Sequence, residues 1–203
     1  VDDYQLFINR MLGQRAELNS VPKFLVGHSM GGLIAAHVAL RDPSFWSGVV
    51  LSAPALEADP SVATPVMKML ARLLSNYAPH LALESLDLTF LTTNQSVMEL
   101  AVQDPLLPKT KMYARWGNEM LMAMDQARSN VRNATFPLLI VHSKADRICS
   151  IAGSRWFFEN APSKKKTMRE YDDMYHELFT ETRRQIVLRE LQEFLTQQMQ
   201  RNA

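Results

Sequence analysis

Residues 27–32 constrain the fold of this chain more than any other part of its sequence. They read Gly-His-Ser-Met-Gly-Gly and lie between a short apolar run, residues 23–27, and a stretch of small residues, 30–40. The apolar run is typical of a buried strand, and the small-residue stretch is typical of a helix. Glycine on both sides of Ser29 permits a turn too tight for larger residues. We therefore expect a strand, a strained turn that exposes the Ser29 hydroxyl, and a helix.

The same alternation of apolar runs and helical patterns continues along the chain. Further strands are predicted at residues 47–53, 136–142 and 167–171, and further helices at residues 2–18, 152–160 and 177–200. Strands that alternate with helices form parallel β-α-β units, and a parallel sheet is covered by helices on both faces. The pattern therefore predicts an α/β fold with a mostly parallel sheet.

The segment from residue 56 to residue 132 interrupts this alternation, and we interpret it as a helical cap. The core then consists of residues 1–55 and 133–203. Methionine adapts to apolar groups of varied shape, so a cap rich in methionine can offer a wall to an acyl chain and can contact lipid surfaces. Seven of the twelve methionines lie in the segment: Met67, Met69, Met98, Met112, Met120, Met122 and Met124.

Several helices and no strands are predicted within the cap. Thr64 and Pro65 fit the N-cap and the first position of one helix. Residues 96–99, Ser-Val-Met-Glu, match a capping box for a second helix. Apolar side chains from Met112 to Met124 form the stripe of a third helix.

The composition is that of a globular protein with a substantial core. The chain has 203 residues, 47% hydrophobic and 21% charged, and its net charge of +1 gives no sign of a nucleic-acid-binding surface. The single cysteine, Cys149, cannot form an internal disulfide and favours a reducing, cytoplasmic location. No apolar stretch reaches the ~18 residues of a membrane span. The chain begins at Val1, directly in a helical pattern, which indicates a piece of a longer protein.

Ser29 requires a base and an acid to act as a nucleophile, and both have candidates. A serine hydroxyl is a weak nucleophile until an oriented imidazole takes its proton. In a strand-turn-helix arrangement of this kind, the acid and then the histidine follow later strands. Asp146 follows the strand at residues 136–142, and His176 follows the strand at residues 167–171. The Met30 amide is expected to stabilise the oxyanion, and His28 is expected to support the turn.

Other acids and histidines fit these roles less well. Asp172 and Asp173 are too close to His176 in sequence to approach its ring from the required side, and we expect them to be solvated. The remaining candidates do not follow the last strand or lack a matching turn: His37, His80, His142 and Cys149.

Four stretches together resemble the monoglyceride lipase family of α/β-hydrolases. They are Gly-His-Ser-Met-Gly-Gly at residues 27–32, Gly-Val-Val-Leu-Ser-Ala-Pro at 48–54, Ala-Asp-Arg-Ile-Cys at 145–149, and Tyr-His at 175–176. The resemblance implies hydrolysis of monoacylglycerol to fatty acid and glycerol, a helical cap, and a triad of Ser29, Asp146 and His176. It also implies that Cys149 lies near the glycerol end of the pocket. No metal or organic cofactor is required.

The chain departs from the family pattern at its beginning. The family has earlier strands and a His-Gly-x-Gly loop that supplies a second oxyanion donor, and this sequence contains neither. The strand at residues 23–27 is therefore expected to form an exposed sheet edge, with Met30 as the single donor. Lysophospholipase, thioesterase and general esterase activities remain alternatives, as does a non-catalytic module that binds lipids or other partners. The sequence does not specify an oligomeric state.

Overall fold

Four parallel strands form the main sheet of the protein. The computed structural model describes residues 1–61, 63–85, 87–106 and 111–202. The strands are β1 Phe24–His28, β2 Gly48–Ser52, β5 Leu138–Ser143 and β6 Lys166–Tyr171. The order across the sheet is β1-β2-β5-β6, and every neighbouring pair is parallel. Since the strands are parallel, the loops after them emerge along one edge of the sheet.

Helices cover both faces of this sheet, which confirms the predicted α/β-hydrolase architecture. Side chains of β2 alternate between the two layers: Val49 and Leu51 pack in one apolar cluster, and Val50 packs in the other. The core helices are α1 Asp2–Gln14, α2 Met30–Arg41, α6 Ile151–Asn160 and α7 Arg184–Asn202. The first cluster includes residues of α2 and α6, and the second includes residues of α7.

Two core helices are shorter than the sequence pattern predicts. The pattern at residues 2–18 divides into α1 and a 3-10 turn, Ala16–Asn19, because Arg15 leaves the helical conformation. The predicted helix at 177–200 was wrong at its beginning, since α7 starts at Arg184. Residues 177–183 form turns with short local hydrogen bonds, such as Thr180 to Glu177, and the Glu177 amide bonds the Leu91 carbonyl in the predicted cap.

Residues 56–132, the segment interpreted as a cap and called the cap below, contain helices and also two short strands where the sequence predicted none. β3, Ala82–Ser85, pairs antiparallel with β4, Lys111–Tyr113. Met112 therefore lies in β4 rather than in the third helix, which begins at Ala114. Strands this short show no recognisable alternation of apolar and polar residues in the sequence, and each one pairs with a segment distant in the chain.

The cap helices are α3 Pro65–Tyr77, α4 Gln95–Gln103 and α5 Ala114–Ser129. Thr64 caps α3 by accepting a hydrogen bond from the Met67 amide, with Pro65 at the start of the helix, as predicted. The capping box at residues 96–99 is wrong, because α4 already begins at Gln95 after Asn94. Within the described residues, no helix combines the length and the apolar character needed to cross a membrane.

Candidate active site

Ser29 occupies a strained turn between β1 and α2. Its φ of 55° and ψ of −123° lie in a region that side chains other than glycine rarely adopt. Its amide donates to the Ser52 carbonyl at 3.0 Å, and its carbonyl accepts from the Ala55 amide at 2.9 Å. The segment after β2 thus supports the turn, and Ala53 in that segment also has a positive φ, 39°.

The glycines around Ser29 are not equivalent. A Cβ at Gly27 would lie 2.3 Å from the Gly31 carbonyl oxygen, and a Cβ at Gly32 would lie 2.8 Å from the Pro54 Cβ. A Cβ at Gly31 would have nothing within 4 Å apart from its own helix. The expectation that the turn needs glycine on both sides of Ser29 is therefore wrong for Gly31. Close packing requires the glycines at positions 27 and 32.

The structure brings the three predicted residues into one chain of hydrogen bonds. His176 Nε2 lies 2.8 Å from Ser29 Oγ, and His176 Nδ1 lies 2.8 Å from Asp146 Oδ2. His176 and Asp146 are buried, whereas Ser29 is half-buried. With a proton on Nδ1 donated to the carboxylate, Nε2 is free to accept the proton of the Ser29 hydroxyl.

Asp146 is held as a carboxylate by four hydrogen-bond donors. Oδ1 accepts from the amides of Ile148 and Cys149 at 2.8 and 3.0 Å. Oδ2 faces His176 Nδ1 at 2.8 Å and His142 Nε2 at 3.2 Å. Burial by itself would raise the pKa of Asp146, but the contacts with His142 and His176 outweigh burial and hold the pKa well below its ordinary value.

His142 is a part of this site that the sequence analysis assigned no role. It ends β5 completely buried, and its Nε2 lies close to two acceptors, Asp146 Oδ2 at 3.2 Å and the Cys149 carbonyl at 3.1 Å. Nε2 must therefore carry a proton, and in the neutral ring Nδ1 accepts from the Ser154 hydroxyl at 2.8 Å. A histidine inside an otherwise apolar strand was the available signal.

His28 lies beside the turn and contacts both the end of β2 and the loop that carries His176. Its Nδ1 is 3.2 Å from Ser52 Oγ on β2. Its Nε2 is 3.3 Å from Glu177 Oε1 but is not oriented for a hydrogen bond. This contact lowers the pKa of Glu177 against the opposing effect of partial burial. The His28 ring also lies against the His176 ring, with centroids 4.8 Å apart.

Cys149 and Met30 are two further neighbours of Ser29. Burial, reinforced by the charge of Asp146, raises the pKa of the Cys149 thiol, which also has a hydrogen bond with the Ser29 side chain. Met30 is the first residue of α2, so its amide has no acceptor within the helix. Its side chain is exposed.

The other candidate residues lie outside this hydrogen-bond chain. Asp172 and Asp173, expected to be solvated, are exposed but form ion pairs with Lys144 and Arg183. The more distant histidines have local partners: His37 Nε2 bonds the Ala123 carbonyl, and His80 packs against the Tyr113 ring. Within the described residues, His, Cys, Asp and Glu side chains form no group suited to a metal ion.

Comparison with known proteins identifies the family of this chain. Residues 1–183 match the family model described as "Serine aminopeptidase, S33". The chain is 32% identical over 185 residues to monoglyceride lipase of Rattus norvegicus, covering 89% of this chain and 61% of the rat protein. It therefore spans less than two thirds of that relative.

Two further relatives extend the comparison. A monoacylglycerol lipase structure from Paleococcus ferrophilus is 30% identical with a TM-score of 0.83, covering 97% of this chain and 75% of that one. Phospholipase YtpA of Bacillus subtilis is 31% identical over 189 residues, covering 90% of this chain and 71% of the relative. The chain belongs to the "Serine aminopeptidase, S33" family of α/β-hydrolases, and its resemblance to the monoglyceride lipases is confirmed.

Proposed function

We propose that this chain is a serine hydrolase that cleaves carboxylic esters, with monoacylglycerols as its substrates. The observation that carries the proposal is the unbroken series of hydrogen bonds from Asp146 through His176 to Ser29, with Ser29 on a strained turn at a helix N-terminus. A partly accessible hydroxyl on a strained turn, next to an oriented imidazole, is suited to nucleophilic attack.

The first half of the reaction transfers the acyl group to Ser29. Ser29 Oγ forms a bond with the ester carbonyl carbon while His176 Nε2 takes the hydroxyl proton. The carbonyl π electrons move to oxygen and generate an oxyanion. When the oxyanion collapses, the bond from carbon to the leaving oxygen breaks, and His176 returns the proton to the departing alcohol. An acyl-serine and the free alcohol result.

The second half repeats these steps with water. His176 removes a proton from water, the resulting hydroxide attacks the acyl carbon, and Ser29 departs with that proton as the fatty acid is released. Asp146 keeps its negative charge throughout and stabilises the imidazolium that forms twice per turnover. Its low pKa supports this role, because four donors favour the ionised form.

The Met30 amide supplies an oxyanion donor in this proposal. It follows Ser29 directly at the N-terminus of α2, where backbone N–H groups and the helix dipole favour negative charge. Loss of one oxyanion donor typically lowers turnover ~10²–10³-fold. The turn geometry, held by Gly27 and Gly32, therefore matters as much as the triad side chains.

The substrate class rests on the cap and on the relatives. Leu100 and Val102 on α4, and Met69 and Leu73 on α3, expose apolar side chains, as a surface that receives an acyl chain or touches a lipid surface must. Two of the compared relatives are named as lipases of monoacylglycerols. We further propose that the protein works in the cytoplasm and contacts membranes peripherally through the cap.

A lysophospholipid is the second candidate substrate. The similarity to a Bacillus subtilis phospholipase favours it, and the same Ser29 chemistry would apply. Measuring kcat/KM for monoacylglycerol and lysophosphatidylcholine of equal chain length separates the two candidates. Cleavage of the phospholipid at the higher kcat/KM would overturn the assignment to monoacylglycerol.

Ser29→Ala in the full chain tests the reaction itself. Removal of the nucleophile should lower ester hydrolysis by at least ~10³-fold and abolish the mass increase produced by a fluorophosphonate. Ser44→Ala is a matched control, because Ser44 is an exposed serine whose hydroxyl bonds Asp42, two residues earlier in the chain. Undiminished turnover in Ser29→Ala would contradict the proposal. Binding of acyl lipid by a wild-type chain that never labels would instead favour the non-catalytic module.

A further inference from the structure

One stretch of the cap, residues 90–94, runs directly along the loop that carries His176. The His176 amide donates to the Phe90 carbonyl at 3.4 Å, and the Glu177 amide donates to the Leu91 carbonyl at 2.7 Å. At the far end, the Asn94 side chain donates to the Thr180 carbonyl at 3.1 Å. The backbone on either side of the base is therefore bonded to the cap.

Glu181 is the side chain that joins the two segments. It is only 1% exposed, and its Oε1 accepts from the Thr93 amide at 3.0 Å and from the Tyr175 amide at 2.6 Å. Its Oε2 accepts from the Thr93 hydroxyl. One buried carboxylate oxygen thus bridges a cap amide and the amide directly before His176.

The loop that carries the acid touches the same stretch of the cap. The Arg147 guanidinium stacks over the Phe90 ring at 4.5 Å from its centroid, and Arg147 follows Asp146. Phe90 therefore contacts the acid loop through its ring and the base loop through its carbonyl. A shift of residues 90–94 would act on both partners of Ser29.

We propose that Glu181 is a positioning residue that fastens cap residues 90–94 to the base loop, so that the position of the cap sets the alignment of His176 with Ser29. The proposal rests on the proposed ester hydrolysis. It adds that the cap takes part in aligning the base, besides offering an apolar surface. α4 starts immediately after Asn94, so displacement of α4 is transmitted to Glu181 through Thr93 and Asn94.

Burial of a carboxylate argues for this specific role. A buried charge is costly unless its acceptor sites are satisfied, and Glu181 satisfies them with donors from two separate segments. A residue that only filled space here would be apolar. Three donors converging on a single carboxylate also set direction, because hydrogen bonds weaken steeply when they are bent.

The test uses Glu181→Ala, Glu181→Gln and Thr93→Val in the full chain with p-nitrophenyl acetate, an ester without a long acyl chain. Glu181→Ala should lower kcat by up to ~10²-fold with little change in KM, since small displacements of a catalytic group have effects of that size. Glu181→Gln should recover most of the rate, because its amide oxygen can accept from both backbone amides. The low-field NMR signal of the His176 Nδ1 proton should be lost in Glu181→Ala and return in Glu181→Gln.

If Glu181→Ala does not fold, Thr93→Val tests the same proposal. It removes one hydroxyl from an exposed cap position and leaves the carboxylate and both backbone bonds in place. Its kcat for the short ester should fall, although Thr93 contacts no reacting group. Thr89→Val is the matched control: Thr89 is an exposed cap threonine whose hydroxyl bonds Asp87, two residues earlier, and its substitution should leave kcat unchanged.

The outcomes separate this proposal from the one on which it rests. A wild-type chain that fluorophosphonate does not label at Ser29 would overturn the proposed hydrolysis, and this role of Glu181 with it. A labelled, active wild type together with folded Glu181→Ala and Thr93→Val variants of unchanged kcat would overturn only the role of Glu181. An effect confined to KM for long-chain esters would also overturn it, because the alignment of His176 would then be intact.

Discussion

The sheet core and the cap bury their apolar side chains to very different extents. Every residue of β2 and β5 is buried, whereas α4 in the cap has no buried residue and α3 has only Ala71 and Ser75. Interiors packed at crystal-like density leave few alternative positions, so the core holds the groups around Ser29 rigidly. The cap has few such constraints and can adapt its apolar surface. The contacts of Glu181 with Thr93 and Tyr175 are one of the places where these two regions meet.

The largest expected effect on stability concerns the tightly packed core around Ser29. Gly27→Ala should destabilise the protein by about 3 kcal/mol or more, because its Cβ would lie 2.3 Å from the Gly31 carbonyl oxygen and 2.7 Å from the Ala35 Cβ. Urea unfolding followed by circular dichroism measures the change, and labelling of Ser29 should be lost with the turn geometry.

Gly31→Ala is the matched change within the same turn. A Cβ there meets nothing within 4 Å, and alanine favours a helix over glycine by up to ~1 kcal/mol. Its free energy of unfolding should therefore be unchanged or slightly higher. Equal destabilisation by the two substitutions would show that packing does not distinguish the two glycines.

A second, smaller effect concerns the carboxylate at the edge of the core. His142→Leu removes one donor from Asp146, so the pKa of Asp146 should rise and the free energy of unfolding should fall by about 1–3 kcal/mol at neutral pH. Because the folded-state pKa of Asp146 is depressed, its contribution is complete above the unfolded pKa of ~3.9 and is lost as the pH falls below it. The penalty of His142→Leu should shrink in that acidic range.

Unfolding at pH 7 and at successively lower pH measures this dependence. His37→Leu is the control, because His37 is a half-buried histidine bonded to the Ala123 carbonyl, away from Asp146. Fluorophosphonate should label Ser29 of the His37→Leu variant at the wild-type rate, and Ser29 of the His142→Leu variant more slowly. A His142→Leu penalty that stays constant below pH 4 would contradict the proposed support of Asp146.

The smallest effect on stability is expected for an exposed residue of the cap. Leu100 in α4 is 70% exposed, so Leu100→Gln should change the free energy of unfolding by less than about 0.5 kcal/mol. It should nevertheless reduce binding to phosphatidylcholine vesicles, since one apolar contact with lipid is lost. Leu188 is 37% exposed and lies in α7, outside the cap, so Leu188→Gln should leave vesicle binding unchanged. Equal losses in sedimentation assays would argue against contact through the cap.

Agreement between sequence and structure follows the same division. The four core strands and the order of Ser29, Asp146 and His176 after them were predictable, because each leaves a local pattern and parallel strands place their carboxyl ends at one edge. The pairing of β3 with β4, the start of α7 at Arg184 and the N-cap of α4 were not predictable. β3 and β4 pair across the cap, and Asn94 before α4 bonds the Thr180 carbonyl. Glu181, shortly before α7, bonds Thr93 in the cap. No local period encodes such contacts with segments distant in sequence.

The sequence by itself determined which residues form the buried strands, where the chain must turn sharply at Ser29, and which acid and histidine follow it. These features depend on side-chain size and apolar periodicity over a few residues. Only the tertiary structure decided that His142 supports Asp146, that Gly32 rather than Gly31 needs to be small, and that Glu181 joins cap to base loop. Gly32 and Pro54, like Glu181 and Thr93, are far apart along the chain, so their contacts exist only once the sheet and the cap have been assembled. His142 is close to Asp146 in sequence, but it reaches the carboxylate only because the loop after β5 folds back on the strand.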